Sequence, residues 1–143
     1  MSGVFFAFFL SATILWQGGS CNNHNINGQP VKMQNVSKGM WGGIHMGLEV
    51  SESGASVAYD CAHGTIDQPM TLDNSSHFDV TGVHIKEHGG PLREGEASGQ
   101  AARYTGQIQD HTMTITVTLT DTRETIGTFT LTEGKAPRIR KCL

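Results

Sequence analysis

The sequence predicts an all-β fold, built as a single antiparallel up-and-down β-barrel of about eight strands. Three observations support this prediction. Apolar and hydroxyl side chains alternate with a period of two over residues 112–132, the 143-residue chain contains 18 glycines, and no helical periodicity follows residue 20. A chain of this length has room for one domain with one core. The strands are therefore expected to share a single interior.

The segment 112–132 carries the clearest strand pattern. Its first half sets four apolar residues against an unbroken row of threonines: Met113, Ile115, Val117 and Leu119. This alternation, with many β-branched residues, is typical of a half-buried antiparallel strand. Residues 121–124 then turn the chain, and residues 126–132 return with Phe129 and Leu131 on the apolar face. Because an isolated hairpin is only marginally stable in water, this face must meet further strands.

Six further segments complete the predicted barrel. They are residues 42–50, 55–61, 70–72, 77–87, 101–109 and 138–142. In the fourth of them, Gly82 interrupts the alternation that Phe78 and Val80 begin, which predicts a bulge or a barrel corner. Such a meander closes into a barrel or folds into a β-sandwich. Closure removes the exposed strand edges, so the barrel is preferred and the sandwich is the alternative.

The first 38 residues predict export and a tether. Residues 4–16 are apolar except for two hydroxyl side chains, and this run is shorter than the roughly 20 residues of a membrane-spanning helix. Residues 18–21 resemble a bacterial lipobox, which implies lipidation of Cys21; plain cleavage after Ser20 is the equal alternative. The protein is then periplasmic, a membrane-anchored lipoprotein or secreted. The expected regions are a signal peptide (1–20), a polar tether (21–38) and a β-barrel domain (39–143).

The chain has three cysteines, an odd number for an exported protein. With Cys21 lipidated, Cys61 and Cys142 remain, and an oxidising compartment favours their pairing. The disulfide would close a loop of about 80 residues and stabilise the fold by roughly 2–4 kcal/mol. Two separate buried thiols are the alternative.

The charge distribution argues against a nucleic-acid partner. The formal net charge is −3, and a nucleic-acid binding surface needs a concentrated basic face. The basic residues that cluster do so near the C-terminus: Lys135, Arg138, Arg140 and Lys141. A solvated or packing strand is the preferred interpretation of this cluster, ahead of a phosphate or lipid-headgroup site. Contact with a membrane is expected only through the lipid anchor.

Seven histidines in so short a chain raise a metal hypothesis. His45, His63 and His88 each lie next to a glycine-rich bend, and together at one barrel end they would bind zinc or another divalent transition metal. His84 cannot share an ion with His88 unless the chain leaves the strand at Glu87, because four residues of regular strand separate two side chains by roughly 13 Å. Hydrogen-bonded or exposed imidazoles are the competing interpretation.

The sequence assigns no catalytic residue, since the nucleophile-elbow, zinc-protease, phosphate-loop and dinucleotide motifs are all absent. An enzyme is therefore the less favoured class. The candidate ligand-binding residues are Trp41, His45, Tyr59, Arg103 and Tyr104. The interior of an eight-stranded barrel is barely wider than its side chains, so the aromatic members of this set are expected to fill it rather than to line a cavity.

Gly39-x-Trp41 before a meander, with Arg138 or Arg140 near the end, resembles the calycin pattern of lipocalins and avidins. That resemblance implies a tryptophan that plugs one barrel end and an arginine packed over it. The chain from Trp41 onward also resembles small exported bacterial proteins of uncharacterised function. The matching motifs are Trp41-Gly42-Gly43-x-His45, Asp60-Cys61-Ala62-His63-Gly64, Glu87-His88-Gly89-Gly90-Pro91 and Ala102-Arg103-Tyr104-Thr105-Gly106.

These observations predict an exported binding module of the bacterial envelope. Its partner is a small apolar ligand held at the open barrel end, or an envelope protein. Inhibitors of secreted metalloproteases have this size and barrel plan, so a protease-inhibitor role is one version of the second case. The alternative is a metal-binding protein or a metal-dependent enzyme that uses the histidine cluster.

Overall fold

The computed structural model describes residues 33–88, 90 and 99–142, and in this part of the chain all regular elements are strands. The predicted signal peptide, Cys21 and tether residues 21–32 lie outside the described residues. No described helix is long and apolar enough to span a membrane. The strands are β1 Gln34–Asn35, β2 Gly39–Gly43, β3 Met46–Val50, β4 Ala55–Tyr59, β5 Ala62–Ile66, β6 Thr71–Leu72, β7 His77–Lys86, β8 Gln100–Gln109, β9 Thr112–Leu119 and β10 Thr125–Glu133.

Eight of these strands close into a barrel in which every neighbouring pair is antiparallel. The order around the barrel is β10-β2-β3-β4-β5-β7-β8-β9, so chain neighbours are spatial neighbours and β10 closes on β2. Short connections suffice for this topology, because antiparallel strands can be joined by tight turns. The predicted eight-stranded antiparallel barrel is confirmed, and closure excludes the sandwich.

The alternation of residues 112–119 sets the interior, as predicted. Met113, Ile115 and Val117 are fully buried, and the threonines between them face the outer wall. Leu131 of β10 pairs with Met113 across the hairpin and is also fully buried. Side chains from all eight barrel strands fill the interior, which therefore holds a packed core rather than a channel.

The eight barrel strands are not the eight segments that the sequence predicts. His45 and Cys61 adopt left-handed backbone conformations, with φ of 69° and 54°, and each forms a tight turn. The first turn divides the predicted strand 42–50 into β2 and β3, and the second begins β5, which was not predicted. Ala62, His63 and Gly64 have low strand propensity, so β5 is specified by its pairing with β4 and β7.

Two predicted strands lie outside the barrel. Residues 71–72 form β6, which pairs only with β1 in a separate two-stranded sheet. Residues 138–142 make a single parallel bridge, between Arg138 and Ile44. The last residues of the predicted tether pack on the barrel instead of being extended and free of contacts. Val36 is buried against the barrel core, and its N–H donates to the carbonyl of Met70 at 2.9 Å.

Gly82 does not interrupt β7, contrary to the sequence prediction. The register between β7 and β8 is continuous through Gly82, which pairs with Ala102. A Cβ atom at this position would lie 2.1 Å from the carbonyl oxygen of Thr65 and 3.0 Å from the ring of Tyr104. Glycine is therefore required for the close approach of β5 and of the Tyr104 ring. The inward alternation of β7 continues past Gly82 to His84.

The chain ends in a segment that crosses one end of the barrel; residues 138–142 are called the strap here. The Arg138 N–H donates to Gly43 at 2.8 Å, and the Arg138 and Arg140 carbonyls accept from the amides of His45 and Cys61 at 2.9 and 3.2 Å. Cys142 forms the predicted disulfide with Cys61, at a Cα separation of 4.9 Å. This end of the barrel is called the disulfide end.

The disulfide closes a loop with a sequence separation of 81 residues. Replacement of both cysteines by serine is expected to lower the free energy of unfolding by about 2–4 kcal/mol, because the open chain gains conformational entropy when unfolded. Urea denaturation of the oxidised wild type and the double variant measures the loss. Reduced wild type is the matched control and should match the double variant; equal stability of oxidised and reduced wild type would contradict the prediction.

Candidate functional site

A cavity of about 380 Å³ opens at the disulfide end of the barrel and is called the end cavity here. Four barrel strands and the turns at this end supply its walls. Its lining residues are His45, Tyr59, Asp60, Cys61, Ala62, His84, Lys86, Glu87, Ile126 and Phe129. This volume lies within the range of roughly 300–1,000 Å³ that is usual for small-molecule sites.

Aromatic rings form the floor of the end cavity. The ring of Tyr59 packs edge-on against His84, with centroids 5.1 Å apart, and tilts against Phe129 at 6.0 Å. Ile126 adds apolar surface; it lies where the register between β9 and β10 shifts, at the bulge between Thr125 and Gly127. An apolar ligand on this floor can therefore contact the Tyr59 ring, the Phe129 ring and an aliphatic side chain.

His84 is the buried polar residue of the end cavity. Its residue surface is 2% exposed, and its Nδ1 atom has no hydrogen-bond partner among the described residues. Burial, followed by the charges of Lys86 and His63, lowers the pKa of this imidazole against the opposing charge of Glu124, so the ring is neutral near pH 7. A buried ring nitrogen without a partner costs free energy, and a ligand that bonded to it would recover that cost.

A buried hydrogen-bond chain holds the floor in place. The Tyr59 hydroxyl donates to the Tyr104 hydroxyl at 3.0 Å, and the Tyr104 hydroxyl donates to the carbonyl of Val83 at 2.9 Å. Burial raises the pKa of both phenols, so each stays protonated and able to donate. The chain links β4, β8 and β7 and fixes the ring of Tyr59 against His84.

Asp60 organises one side of the cavity rim. Its Oδ1 accepts the Arg140 N–H at 2.7 Å, and its Oδ2 lies 2.5 Å from Nδ1 of His45. The Arg140 N–H, and then the His45 ring, hold the pKa of this carboxyl below its usual range against the opposing effect of burial. The ionised Asp60 thus joins the His45 turn to the strap.

Glu87 organises the other side of the rim. Its Oε1 lies 2.8 Å from Nδ1 of His63, and its Oε2 lies 3.6 Å from the ammonium of Lys141 in the strap. Its backbone N–H donates to the carbonyl of Cys61 at 2.8 Å. Both carboxylates of the rim are therefore engaged by an imidazole on one side and by the strap on the other.

The structure brings together only part of the predicted ligand-binding set. His45 and Tyr59 line the end cavity, and Tyr104 lies behind Tyr59 in the interior. Trp41 is buried toward the opposite barrel end, where its indole N–H donates to the carbonyl of Ser37 at 3.0 Å. Arg103 lies on the outer wall and forms a two-pronged ion pair with Asp79.

The arginines that the calycin resemblance places over the tryptophan lie elsewhere. Arg138 and Arg140 make their backbone bonds at the disulfide end, to Gly43 and to Asp60. Trp41 pairs with Leu48 and Glu133, toward the other end of β2. Tryptophan and arginine therefore stand at different levels of this barrel.

Two of the three predicted metal ligands, His45 and His63, face different carboxylates. His45 faces Asp60, His63 faces Glu87, and the Cys61 sulfur is in the disulfide. Over residues 33–88, 90 and 99–142, no three or more His, Cys, Asp or Glu side chains are grouped so that they could hold a metal ion. The described geometry gives the zinc hypothesis on His45, His63 and His88 no support.

A larger depression of about 680 Å³ lies on the outer wall and is called the outer groove here. It runs beside the small sheet, and its walls carry hydroxyl, amide, carboxylate and imidazole side chains together with Met33, Leu72 and Phe78. These polar groups lie in intermediate or exposed positions, where water already solvates them. The outer groove therefore lacks the buried unsatisfied atom that distinguishes the end cavity.

Apart from His45 and Tyr59, the sequence analysis missed the residues that line the cavity, above all His84. One signal was available: Phe78, Val80, Gly82 and His84 are spaced by two, and continued alternation through Gly82 points His84 inward. Lys86 follows on the same face. The sequence places Phe129 on the apolar face of its strand. Its proximity to Tyr59 results from closure of the barrel, which no local sequence pattern predicts.

The chain was compared with family models, with curated proteins and with solved structures. None of them matches. The candidate site is therefore assessed from its own geometry.

The hydrogen-bond chain predicts unequal effects for its two tyrosines. Tyr59→Phe removes one hydrogen bond and should cost roughly 1 kcal/mol of unfolding free energy, whereas Tyr104→Phe removes two and leaves a buried hydroxyl unpaired, at roughly 2 kcal/mol or more. In the Tyr104→Phe background, Tyr59→Phe should cost close to nothing, since that hydroxyl has already lost its acceptor. Urea denaturation of the four proteins measures this cycle; equal or reversed single losses would contradict the assigned donors.

The link from Asp60 to the strap predicts a change in hydrogen exchange. Asp60→Ala should speed exchange of the Arg140 amide by about tenfold or more, because the N–H loses its acceptor. In wild type this protection should persist below the usual carboxyl pKa of about 3.9 and fail only as pH falls through the lowered folded-state pKa.

Asp73→Ala is the matched control for this experiment. Asp73 also accepts two backbone N–H groups, those of Ser75 and His77, at the opposite end of the barrel. Its replacement should leave the Arg140 amide unchanged. Unaltered Arg140 exchange in Asp60→Ala would show that the strap is held without this carboxylate.

Proposed function

We propose that this protein is a binding module that holds a small, mainly apolar ligand in the end cavity. The observation that carries the proposal is His84, which lines the aromatic cavity and whose buried Nδ1 atom has no partner within the described part of the chain. Buried polar groups in folded proteins are nearly always hydrogen-bonded. An unpaired ring nitrogen on a residue that lines a cavity of ligand size favours a ligand with one polar atom.

The filled interior supports an end site rather than a lipocalin-like central cavity. Trp41, Tyr104 and Met46 are among the fully buried side chains that occupy the barrel. A ligand is therefore expected to lie on the Tyr59 and Phe129 rings at the mouth, with one polar atom directed at His84. Specificity would come from that single hydrogen bond and from the shape of the apolar floor.

We also infer that the protein works outside the cytosol, as an exported envelope protein. The Cys61–Cys142 disulfide supports this inference, since such bonds form and persist in oxidising compartments. A signal peptide at residues 1–20 and lipidation of Cys21 are part of the same proposal and rest on the sequence alone. A ligand-binding module tethered to the envelope, or released from it, is the resulting function.

The neutral dye phenylnaphthylamine, whose fluorescence rises in apolar surroundings, tests the site. We expect it to bind the oxidised protein, and we expect Ile126→Trp to weaken binding by about tenfold or more, because the larger side chain fills the cavity. Ile108→Trp is the matched control: Ile108 is also half-buried, but at the opposite barrel end. Absence of saturable binding, or equal loss in both variants, would overturn the proposal.

A further inference from the structure

Lys86 places a positive charge at the mouth of the end cavity. It follows His84 by two residues on β7, and side chains two apart on a strand share a face. The Lys86 side chain is exposed and lines the cavity. His84 thus lies at the inner level of the cavity and Lys86 at the outer level, separated by the roughly 7 Å of two strand residues.

The negative charges of the rim are directed to the strap. Asp60 accepts from the Arg140 amide and faces His45, while Glu87 faces His63 and Lys141. No ion pair joins Lys86 to any carboxylate of residues 33–88, 90 or 99–142. The carboxylate of Glu124 is also close enough to His84 to raise its pKa, although it forms no ion pair with Lys86. A ligand entering the cavity would therefore meet an ammonium group that no described carboxylate pairs with directly.

The strap offsets the negative charge of the rim. Arg140 and Lys141 lie in the strap at the disulfide end, where the ammonium of Lys141 lies 3.6 Å from Glu87 and the charge of Arg140 acts on Asp60. From sequence alone, a solvated or packing strand is the preferred interpretation of this basic cluster. Because these charges compensate the rim carboxylates, an entering anion meets less repulsion from them.

We propose that the ligand of the end cavity is a small organic acid, with an apolar ring system on Tyr59 and Phe129 and its acidic group between His84 and Lys86. This inference rests on the proposed function and names the ligand class. With a neutral ring, the Nδ1–H tautomer of His84 donates to one oxygen of the acid, and the ammonium of Lys86 pairs with the other.

Other ligand classes fit less well. A cationic ligand would bring its charge against Lys86, which is unfavourable in partly desolvated surroundings. A neutral ligand would satisfy His84 but would gain no Coulomb attraction from Lys86. The cavity volume of about 380 Å³ is near the lower end of the usual range and suits an acid with up to three rings.

Two dyes with one ring system test the charge preference. Anilinonaphthalene sulfonate is phenylnaphthylamine with an added sulfonate, so the ratio of their dissociation constants isolates the acidic group. We expect the anionic dye to bind the oxidised wild type about tenfold or more tighter than the neutral dye. Lys86→Gln should bring the two affinities close together by weakening only the anionic dye.

Lys135→Gln is the matched control, because Lys135 is an exposed lysine of the same basic cluster that bonds Thr132 at the opposite barrel end. It should leave the ratio unchanged. His84→Phe, which keeps a ring of similar size, should also weaken the anionic dye and spare the neutral one. Lys86 is exposed and His84→Phe conserves the side-chain volume, so both Lys86→Gln and His84→Phe are expected to fold. Thermal unfolding of the two variants verifies this.

The outcomes separate the two proposals. Equal affinity of the wild type for both dyes would overturn the organic-acid inference, and so would a ratio of dissociation constants that Lys86→Gln leaves unchanged. The proposed function would survive either result if Ile126→Trp still weakened binding of the neutral dye. If Ile126→Trp affected neither dye, the end cavity would not be their binding site, and both proposals would fall.

Discussion

The hydrogen-bond chain from Tyr59 through Tyr104 to Val83 is the constraint on which the rest of the structure depends. Two phenol hydroxyls lie in the barrel core, and each would cost roughly 1–3 kcal/mol if left unpaired. Their mutual pairing removes that cost and fixes the Tyr59 ring against His84 and Phe129. The floor of the end cavity is thus determined by polar atoms deeper in the interior.

The same chain and the close approach of the strands explain two glycines of the barrel wall. A Cβ atom at Gly64 would lie 2.3 Å from the carbonyl oxygen of Val83 and 2.7 Å from the Tyr104 hydroxyl. One at Gly82 would lie 2.1 Å from the carbonyl oxygen of Thr65 and 3.0 Å from the Tyr104 ring. Glycine at both positions makes room for a large side chain that fills the interior. Because the interior is full, the open volume lies at the barrel end, where the strap and the disulfide shape the rim.

Much of the architecture follows from local pattern, whereas the site does not. The alternation that includes Met113 and Val117 predicts a half-buried strand from sequence spacing alone. Cys61 and Cys142 predict a disulfide from their number and from the chemistry of an oxidising compartment. The cavity combines residues of β4, β7 and β10, whose proximity results from closure of the barrel. The inward position of His84 was not predicted because a glycine within a strand, here Gly82, is a common sign of a bulge. In the structure Gly82 instead allows close packing within a regular strand.

Ligand binding in the end cavity, and not in the outer groove, is tested most directly by intermolecular nuclear Overhauser contacts in the dye complex. We predict contacts from the protons of the bound anionic dye to the rings of His84 and Phe129, which line the end cavity. Contacts confined to His77 and Thr105, which line the outer groove, would contradict the account.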